Sequence, residues 1–220
     1  MAGPSETQGS GSKKWLIGCG VLFALSAVSC CCGGLMLRQL PELLAGLALQ
    51  PEPLPLPAPT PDPDGGAAIA TRVCAELAED HSSFLTAAEL TTLSTLTAEP
   101  SLRVMRWRAE GDRLSMDLSW GVPDGGGFVN VVAGGQLRME NGWWKTASFH
   151  EMRLGEHDLA GFLTGQPMAE QLNQNMAQQR AKDPDMAAAL DSVELAYTGD
   201  GGVHFTLAPN SPIQTKICGG

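Results

Sequence analysis

The chain has 220 residues, of which 43% are hydrophobic, and a formal net charge of −10. Its length allows one domain or two small ones, and its apolar content is enough for a folded core, which excludes global disorder. An acidic chain without clustered Lys and Arg lacks the groups that phosphate contacts need, so we expect no nucleic-acid partner.

The N-terminal region divides into a polar tail, residues 1–14, and an apolar segment. The tail is rich in small polar residues and is expected to be disordered. The 23 residues from Trp15 to Leu37 carry no charged side chain. At about 1.5 Å per residue they span roughly 35 Å, enough for a bilayer core of about 30 Å, and Trp15 suits the interface. We predict a transmembrane helix over residues 15–38, with the lipid bilayer as a partner.

The flanking charges of this segment predict its orientation. Two lysines precede it and one arginine follows it, which favours a cytoplasmic N-terminus and places the rest of the chain outside the plasma (inner) membrane. Cleavage at Cys30, as in a lipoprotein, stays open as an alternative. Ser26, Cys30 and Gly34 recur every four positions, a pattern that allows a homodimer through the membrane helix.

Residues 41–66 are predicted to form a short helix followed by a proline-rich spacer. Proline occupies every second position from Pro51 to Pro63, which favours polyproline II, a form that is about 43 Å long over fourteen residues at about 3.1 Å each. This rod would hold the domain, residues 67–220, away from the membrane. The layout of membrane helix, alternating prolines and terminal domain resembles that of TonB-type energy transducers. The resemblance is limited to the layout and implies no site or activity for this domain.

The domain is predicted to open with two helices. Apolar residues recur every four positions in residues 67–80, and Thr86-x-x-Glu89 is a capping box before a leucine-containing repeat. A strand with strict alternation follows over residues 113–120. If residues 109–112 form the preceding turn, Trp107 pairs with Leu114.

Glycine positions predict the remaining strand boundaries. The pair Gly134-Gly135 is expected to separate two strands. The pair Asn141-Gly142 predicts a type I′ hairpin in which Met139 pairs with Trp144 and Trp143 points to the other side.

The last third of the domain is predicted to contain two helices and a hairpin. Pro167 and the Asp183-Pro184 pair indicate two helix starts. In the final hairpin Val193, Leu195 and Tyr197 are expected on one face. The order predicts an α+β fold with a mainly antiparallel sheet of about seven strands, two leading helices and a helical insertion before the last hairpin.

An arginine cluster is the first candidate site. Arg106, Arg108 and Arg113 are predicted to share one face of a strand pair, where they could contact an anionic lipid head group, a polymer or an acidic partner. The alternative is ordinary pairing with Asp112 and Asp117 on a solvated face.

Three further residues are candidates for contact or cross-linking. Trp143, on the polar side of its hairpin, is a candidate partner contact, unless a later helix covers it. Cys74 and Cys218 are the two cysteines outside the apolar segment. We predict a disulfide between them, because the domain is expected in an oxidising compartment; two free thiols are the alternative.

The stretch His150–Asp158 holds two histidines and three carboxylates but lacks a metal-site pattern. Leu154 occupies the position where the zincin motif needs a second histidine. In an extended strand His150 and Glu151 would point to opposite faces. We therefore expect a solvated strand end, with a metal-dependent hydrolase as the least favoured alternative, and no catalytic residue, metal or cofactor.

These observations predict a single-pass, membrane-tethered, non-enzymatic binding or scaffolding module with an unknown protein or polymer partner. The alternative is a carrier or sensor of a lipid or other apolar ligand. It depends on four methionines that could line an apolar cavity: Met105, Met116, Met168 and Met176.

Overall fold

The computed structural model describes residues 49–96, 101–111, 113–122, 126–163 and 168–218. The predicted tail and transmembrane helix, with Trp15 and Leu37, lie outside these residues. Within the described ranges no helix is long and apolar enough to span a bilayer.

The described residues form an α+β fold around one antiparallel sheet, as predicted. The helices are α1 (Pro63–Asp80), α2 (Ala87–Leu96), α3 (Ala160–Leu163), α4 (Met168–Lys182), α5 (Pro184–Asp191) and α6 (Pro212–Cys218). The strands are β1 (Leu49–Gln50), β2 (Ser82–Thr86), β3 (Leu102–Glu110), β4 (Arg113–Gly121), β5 (Phe128–Glu140), β6 (Trp143–Leu154), β7 (His157–Asp158), β8 (Val193–Gly199) and β9 (Gly202–Leu207). The sheet has nine strands instead of about seven, because two of the predicted strands are one continuous strand, β5, and the short β1, β2 and β7 were not expected.

Strand β5 is the centre of a forked sheet with the order β2-β9-β8-β5-β4-β3. One edge of β5 pairs with β4 along its first half and with β8 along its last three residues. The Thr198 hydroxyl spans the fork, because it accepts a hydrogen bond from Leu137 N at 3.0 Å and donates one to Gly135 O at 3.4 Å. The other edge of β5 pairs with β6 and β1.

The predicted strand break at Gly134-Gly135 is wrong, since both glycines lie inside β5. Neighbouring atoms explain why glycine is needed there without a turn. A Cβ on Gly134 would collide with the Ser115 side chain, and one on Gly135 with the Ser148 carbonyl. The glycines therefore permit close strand packing instead of ending a strand.

The β3–β4 hairpin is tighter than predicted. Glu110 pairs with Arg113, so Trp107 lies opposite Met116 and the predicted pairing with Leu114 is wrong. Gly111, with φ of 64°, allows a two-residue turn instead of a four-residue one. Because the register moves by two residues, each side chain keeps its predicted face.

The β5–β6 hairpin confirms the sequence prediction. Asn141 and Gly142 have φ of 49° and 72°, as a type I′ turn requires. Met139 pairs with Trp144, which is buried, whereas Trp143 is 37% exposed on the other face.

In the β8–β9 hairpin the predicted face of Leu195 and Tyr197 is wrong. Val193 pairs with Leu207 and Leu195 with Thr206, so Glu194 is the extra residue of a bulge. The bulge reverses the alternation after Val193. Ala196 then packs against the core, and Tyr197 lies beside His204 on the opposite face.

The main core lies between one face of the sheet and the helices. Leu77 of α1 and Leu90 of α2 are fully buried there, and Leu207 of β9 is 1% exposed. The predicted caps are present, because the side chains of Thr86 and Glu89 exchange hydrogen bonds with each other's backbone N–H. Asp183 likewise accepts a bond from Met186 N at 3.0 Å.

The proline-rich segment differs from the predicted free spacer. Helix α1 begins at Pro63, four residues before residue 67, and Asp62 accepts a hydrogen bond there from Gly65 N at 2.9 Å. Leu49 and Gln50 pair with β5 and are not helical. The Asn130 side chain donates to Glu52 O at 3.0 Å. Residues 49–52 therefore lie on the sheet and belong to the domain.

The predicted disulfide between Cys74 and Cys218 is confirmed, with the two Cα atoms 5.5 Å apart. It joins α6 to α1. Ile213 is 2% exposed in the main core, and the Gln214 amide donates to Leu77 O at 3.1 Å. The C-terminal helix is thus held by packing, by a hydrogen bond and by a covalent link.

Candidate binding face of the sheet

The sheet has a core face, against which the helices of the main core pack, and an opposite face that we call the open face. Strand pairing places polar, charged and aromatic side chains together on the open face. They are Phe84, Arg106, Arg108, Ser115, Asp117, Asn130, Arg138, Thr146, Glu151, Tyr197 and His204.

One half of the open face is a charge network around Asp117, whose side chain is 6% exposed. Arg106 Nη2 and Arg108 Nε each donate to its Oδ2 at 2.9 Å. Arg108 also reaches Glu151 at 3.1 Å and Glu110 at 3.0 Å. Two of the three arginines predicted for anion contact are therefore paired with carboxylates of the protein itself.

Burial alone would lower the pKa of Arg108, but its bonds to Asp117 and Glu151 outweigh that effect and raise it. Arg113 lies at the first position of β4, beside the hairpin turn, and is exposed. The structure thus brings Arg106 and Arg108 together at Asp117 and leaves Arg113 at the strand end. Asp112, the other predicted partner, lies outside the described residues.

His150 and Glu151 point to the same face, contrary to the prediction. Gly134 pairs with Glu151 and Gly135 with Phe149, so His150 is the extra residue of a bulge. His150 Nε2 lies 3.5 Å from Ser115 Oγ, at the outer limit of a hydrogen bond. His157 is exposed in β7. Across the ranges that the structure describes, no cluster of three His, Cys, Asp or Glu side chains could hold a metal ion.

The other half of the open face carries an aromatic row. The His204 ring stacks on Tyr197 at a centroid distance of 4.7 Å and lies 4.4 Å from Phe84. His204 Nε2 is 3.0 Å from a carboxylate oxygen of Asp200. Sequence reasoning missed this row because the bulge at Glu194 was not foreseen and β2 was not recognised. The sequence Ser82–Thr86 has no alternation of apolar and polar residues, although Ser83 and Leu85 are the buried positions of β2, so the sequence carried no clear signal for this strand.

Trp143 lies at the start of β6, and α4 partly covers it. The Arg180 guanidinium lies 4.3 Å from the centroid of the Trp143 ring. Arg180 also donates to Gly142 O at 2.6 Å and forms an ion pair with Asp191. The arginine therefore fixes α4 on the hairpin, and Trp143 keeps 37% of its surface exposed.

The four methionines considered for an apolar ligand pack in separate places. Met105 and Met116 belong to a cluster with Leu118 and Val131. Met168 packs with Met152 in a second cluster, and Met176 lies in the main core. Side-chain packing in three clusters accounts for their burial.

The chain matches no protein-family model, no curated protein and no solved structure.

Proposed function

We propose that the chain is a single-pass, membrane-tethered, non-enzymatic binding or scaffolding module whose α+β domain lies outside the plasma (inner) membrane. The observation that carries this proposal is the two-sided sheet. The helices of the main core pack on one face, and the other carries charged and aromatic side chains over several strands. Arg106, Arg138 and Tyr197 are exposed or partly exposed there, whereas Asp117 and Asn130 are buried. Such a surface suits recognition of an extended protein or polymer.

The location is supported by two features. Cys74 and Cys218 form a disulfide, which persists in oxidising compartments and is rare in the cytosol. The uncharged segment from Trp15 to Leu37 is long enough to span a bilayer, and two lysines precede it.

The internal pairing of the open face supports binding in preference to catalysis. Arg106, Arg108 and Asp117 hold one another in fixed positions. The exposed sides of the arginines can still contact an acidic partner, because guanidinium groups carry several donors. The aromatic row beside them offers apolar contact area.

In-cell photo-crosslinking of the full chain tests the proposal. A photo-reactive phenylalanine analogue replaces Gln136 or Thr146, both exposed on the open face, and Glu79 on α1 serves as the control. We expect a discrete high-mass adduct from the two open-face positions and none from Glu79. The same adducts from all three positions, or none from the open face, would contradict the proposal.

A further inference from the structure

We propose that the end of the sheet where the chain enters the domain is a membrane-contacting surface, so that the domain rests on the bilayer instead of standing off on a rod. This inference rests on the proposed membrane tether and adds which end of the domain faces the bilayer.

The first observation is an apolar row that crosses four strands at this end. Leu49 pairs with Val129, Val129 with Trp120, and Trp120 with Leu102. All four side chains therefore lie at one level on the core face of the sheet. Val129 and Leu102 are buried, Trp120 is half-buried, and Leu49 is 39% exposed.

Two more half-buried side chains extend this row. Val122 and Leu154 pack against the cluster that contains Val129 and Leu102. Leu49, Trp120, Val122 and Leu154 together form what we call the entry rim. Leu49 and Trp143 are the exposed large hydrophobic residues among those described, and Leu49 belongs to this rim.

The second observation is the length of chain between the rim and the predicted membrane helix. That helix ends at residue 38, and the described domain begins at Leu49, which leaves residues 39–48 between them. At about 3.5 Å per residue these ten positions reach at most about 35 Å. The prolines that follow Leu49 add no length, because residues 49–52 are already attached to the sheet.

The composition of the connecting residues shortens the expected separation further. Residues 39–48 include Leu43, Leu44 and Leu47, and Glu42 is the one charged residue between Arg38 and Leu49. Apolar side chains of this kind partition favourably from water into a membrane interface. The residue that enters the domain next is Leu49, so the entry rim is the part of the domain nearest the bilayer.

The chemistry of the rim fits a lipid surface. Tryptophan and aliphatic side chains partition into the head-group region, where Trp is enriched. Arg103 and Arg153 are exposed at the same end of β3 and β6, although Glu52 and Glu156 are exposed there as well. Because the charges nearly balance, the contact depends on apolar insertion and on the short tether, and it does not require anionic lipid.

The test uses the full chain in vesicles of phosphatidylethanolamine and phosphatidylglycerol. The photo-reactive phenylalanine analogue replaces Leu49 or Trp120, and Glu110 is the control at the opposite end of β3, about 25 Å away along the strand. Glu110 is a fair control because its side chain is 74% exposed. Non-reducing intact mass, which shows the Cys74–Cys218 bond, checks that each variant is folded.

We expect lipid adducts at Leu49 and Trp120 with a yield roughly tenfold or more above that at Glu110, because a distance of about 25 Å places the control outside the head-group layer. Equal yields, or adducts to protein instead of lipid, would overturn the inference. Alkaline carbonate extraction separates the two claims. Release of the chain would overturn the tether and the contact together, whereas a retained chain without lipid adducts would overturn the contact alone.

Discussion

Asp117 is the residue that organises the charged half of the open face. Its carboxylate accepts hydrogen bonds from both Arg106 and Arg108, and its side chain is 6% exposed. Burying this carboxylate destabilises the fold little while it is paired with the two arginines. Removing the carboxylate leaves both arginines without their main partner.

We expect Asp117→Asn to lower the free energy of unfolding by about 2 kcal/mol, because bonds from charged donors to a carboxylate are stronger than those to an amide. Urea denaturation measures the change. Glu110→Gln is the matched control, since it also removes a carboxylate bound to Arg108 but one that is 74% exposed. It should cost less than about 1 kcal/mol. Equal losses of unfolding free energy in the two variants would show that the burial of Asp117 does not determine how much its ion pairs stabilise the fold.

Arg72 is the residue that joins α1, β2 and α2. It donates to Glu76 at 2.7 Å, to Phe84 O at 3.0 Å and to Glu89 at 2.8 Å. Burial would raise the pKa of Glu76, but bonds from Ser83 and Arg72 outweigh it and lower the pKa below its ordinary value of 4.5. For Glu89, burial is outweighed in the same way by bonds from Thr86 and Arg72.

The sign of the pH dependence follows from these lowered pKa values. Glu76 and Glu89 stabilise the fold above pH 4.5, and that contribution is lost as the pH falls through their folded pKa values. We expect Arg72→Met to reduce the loss of stability between neutral pH and pH below 4.5. Urea denaturation over that range measures it. The control Arg138→Met, which removes an exposed pair with Glu140, should keep the wild-type pH dependence, and a wild-type profile for Arg72→Met would refute the explanation.

At the scale of elements, helix side chains hydrogen-bond to strands at the edges of the sheet. Thr91 of α2 accepts from Trp107 N of β3 at 2.9 Å. Asn173 of α4 accepts from Trp144 N and donates to Trp144 O of β6, both at 2.9 Å. An amide side chain thus occupies backbone groups with which a further strand could pair.

We expect Asn173→Leu to cost about 1–3 kcal/mol, since the two backbone groups of Trp144 lose their partners, and to increase self-association through β6. Thr91→Val should also lower the free energy of unfolding and increase self-association, in this case through β3, but with a smaller loss of stability. Urea denaturation and size-exclusion chromatography with light scattering provide the measurements. Thr92→Val is the control on the same helix, because it leaves the Thr91 bonds in place. A monomeric Asn173→Leu protein of wild-type stability would contradict the proposed role of Asn173.

Substitutions at two hairpin glycines, Gly111 and Gly142, distinguish the effect of backbone strain from that of steric clash. Gly111 has φ of 64° and no atom near the position of a Cβ, whereas a Cβ on Gly142, with φ of 72°, would lie 2.5 Å from Leu190 O and 2.6 Å from Arg180 Nη2. We expect Gly111→Ala to cost about 1 kcal/mol and Gly142→Ala at least about 2–3 kcal/mol. Urea denaturation of the two variants in parallel measures the two losses of stability. Equal losses would show that Leu190 of α5 and Arg180 move aside for the new Cβ, so that the steric clash costs little.

Local sequence signals predicted the elements well where the interactions are local. The type I′ turn at Asn141-Gly142 and the capping box at Thr86 were predicted because neighbouring residues alone determine them. The bulges at His150 and Glu194 could not be predicted, since an extra residue in a strand appears only when its partner strand is in place. Those bulges also assemble much of the open face, which is why His150 and the Tyr197–His204 stack were assigned incorrectly or missed.

At the scale of the whole molecule, one of two long-range attachments to the domain was predicted, the disulfide of Cys218, and the other, that of residues 49–52, was not. The Cys74–Cys218 bond followed from elimination among six cysteines and the expected compartment. The docking of residues 49–52 did not follow from the sequence, because proline spacing describes a free chain. It depends on a long-range contact between Asn130 and Glu52.

The disulfide closes a loop with a sequence separation of 144 residues. We expect its removal by Cys74→Ser with Cys218→Ser to lower the free energy of unfolding by up to about 5 kcal/mol on the chain-entropy model. Ile213→Ala in the otherwise wild-type chain is the comparison, because it removes packing of α6 and keeps the covalent link. Urea denaturation without reductant measures both. Unchanged stability of the serine variant would show that the bond does not constrain the chain.

The central claim is that the folded domain is tethered outside the plasma (inner) membrane. Protease accessibility of the full chain in intact cells and in spheroplasts tests it most directly, with a cytoplasmic protein as the control for lysis. We expect the domain to be degraded when spheroplasts are treated and to be protected in intact cells. Protection of the domain in spheroplasts that remain sealed would contradict it.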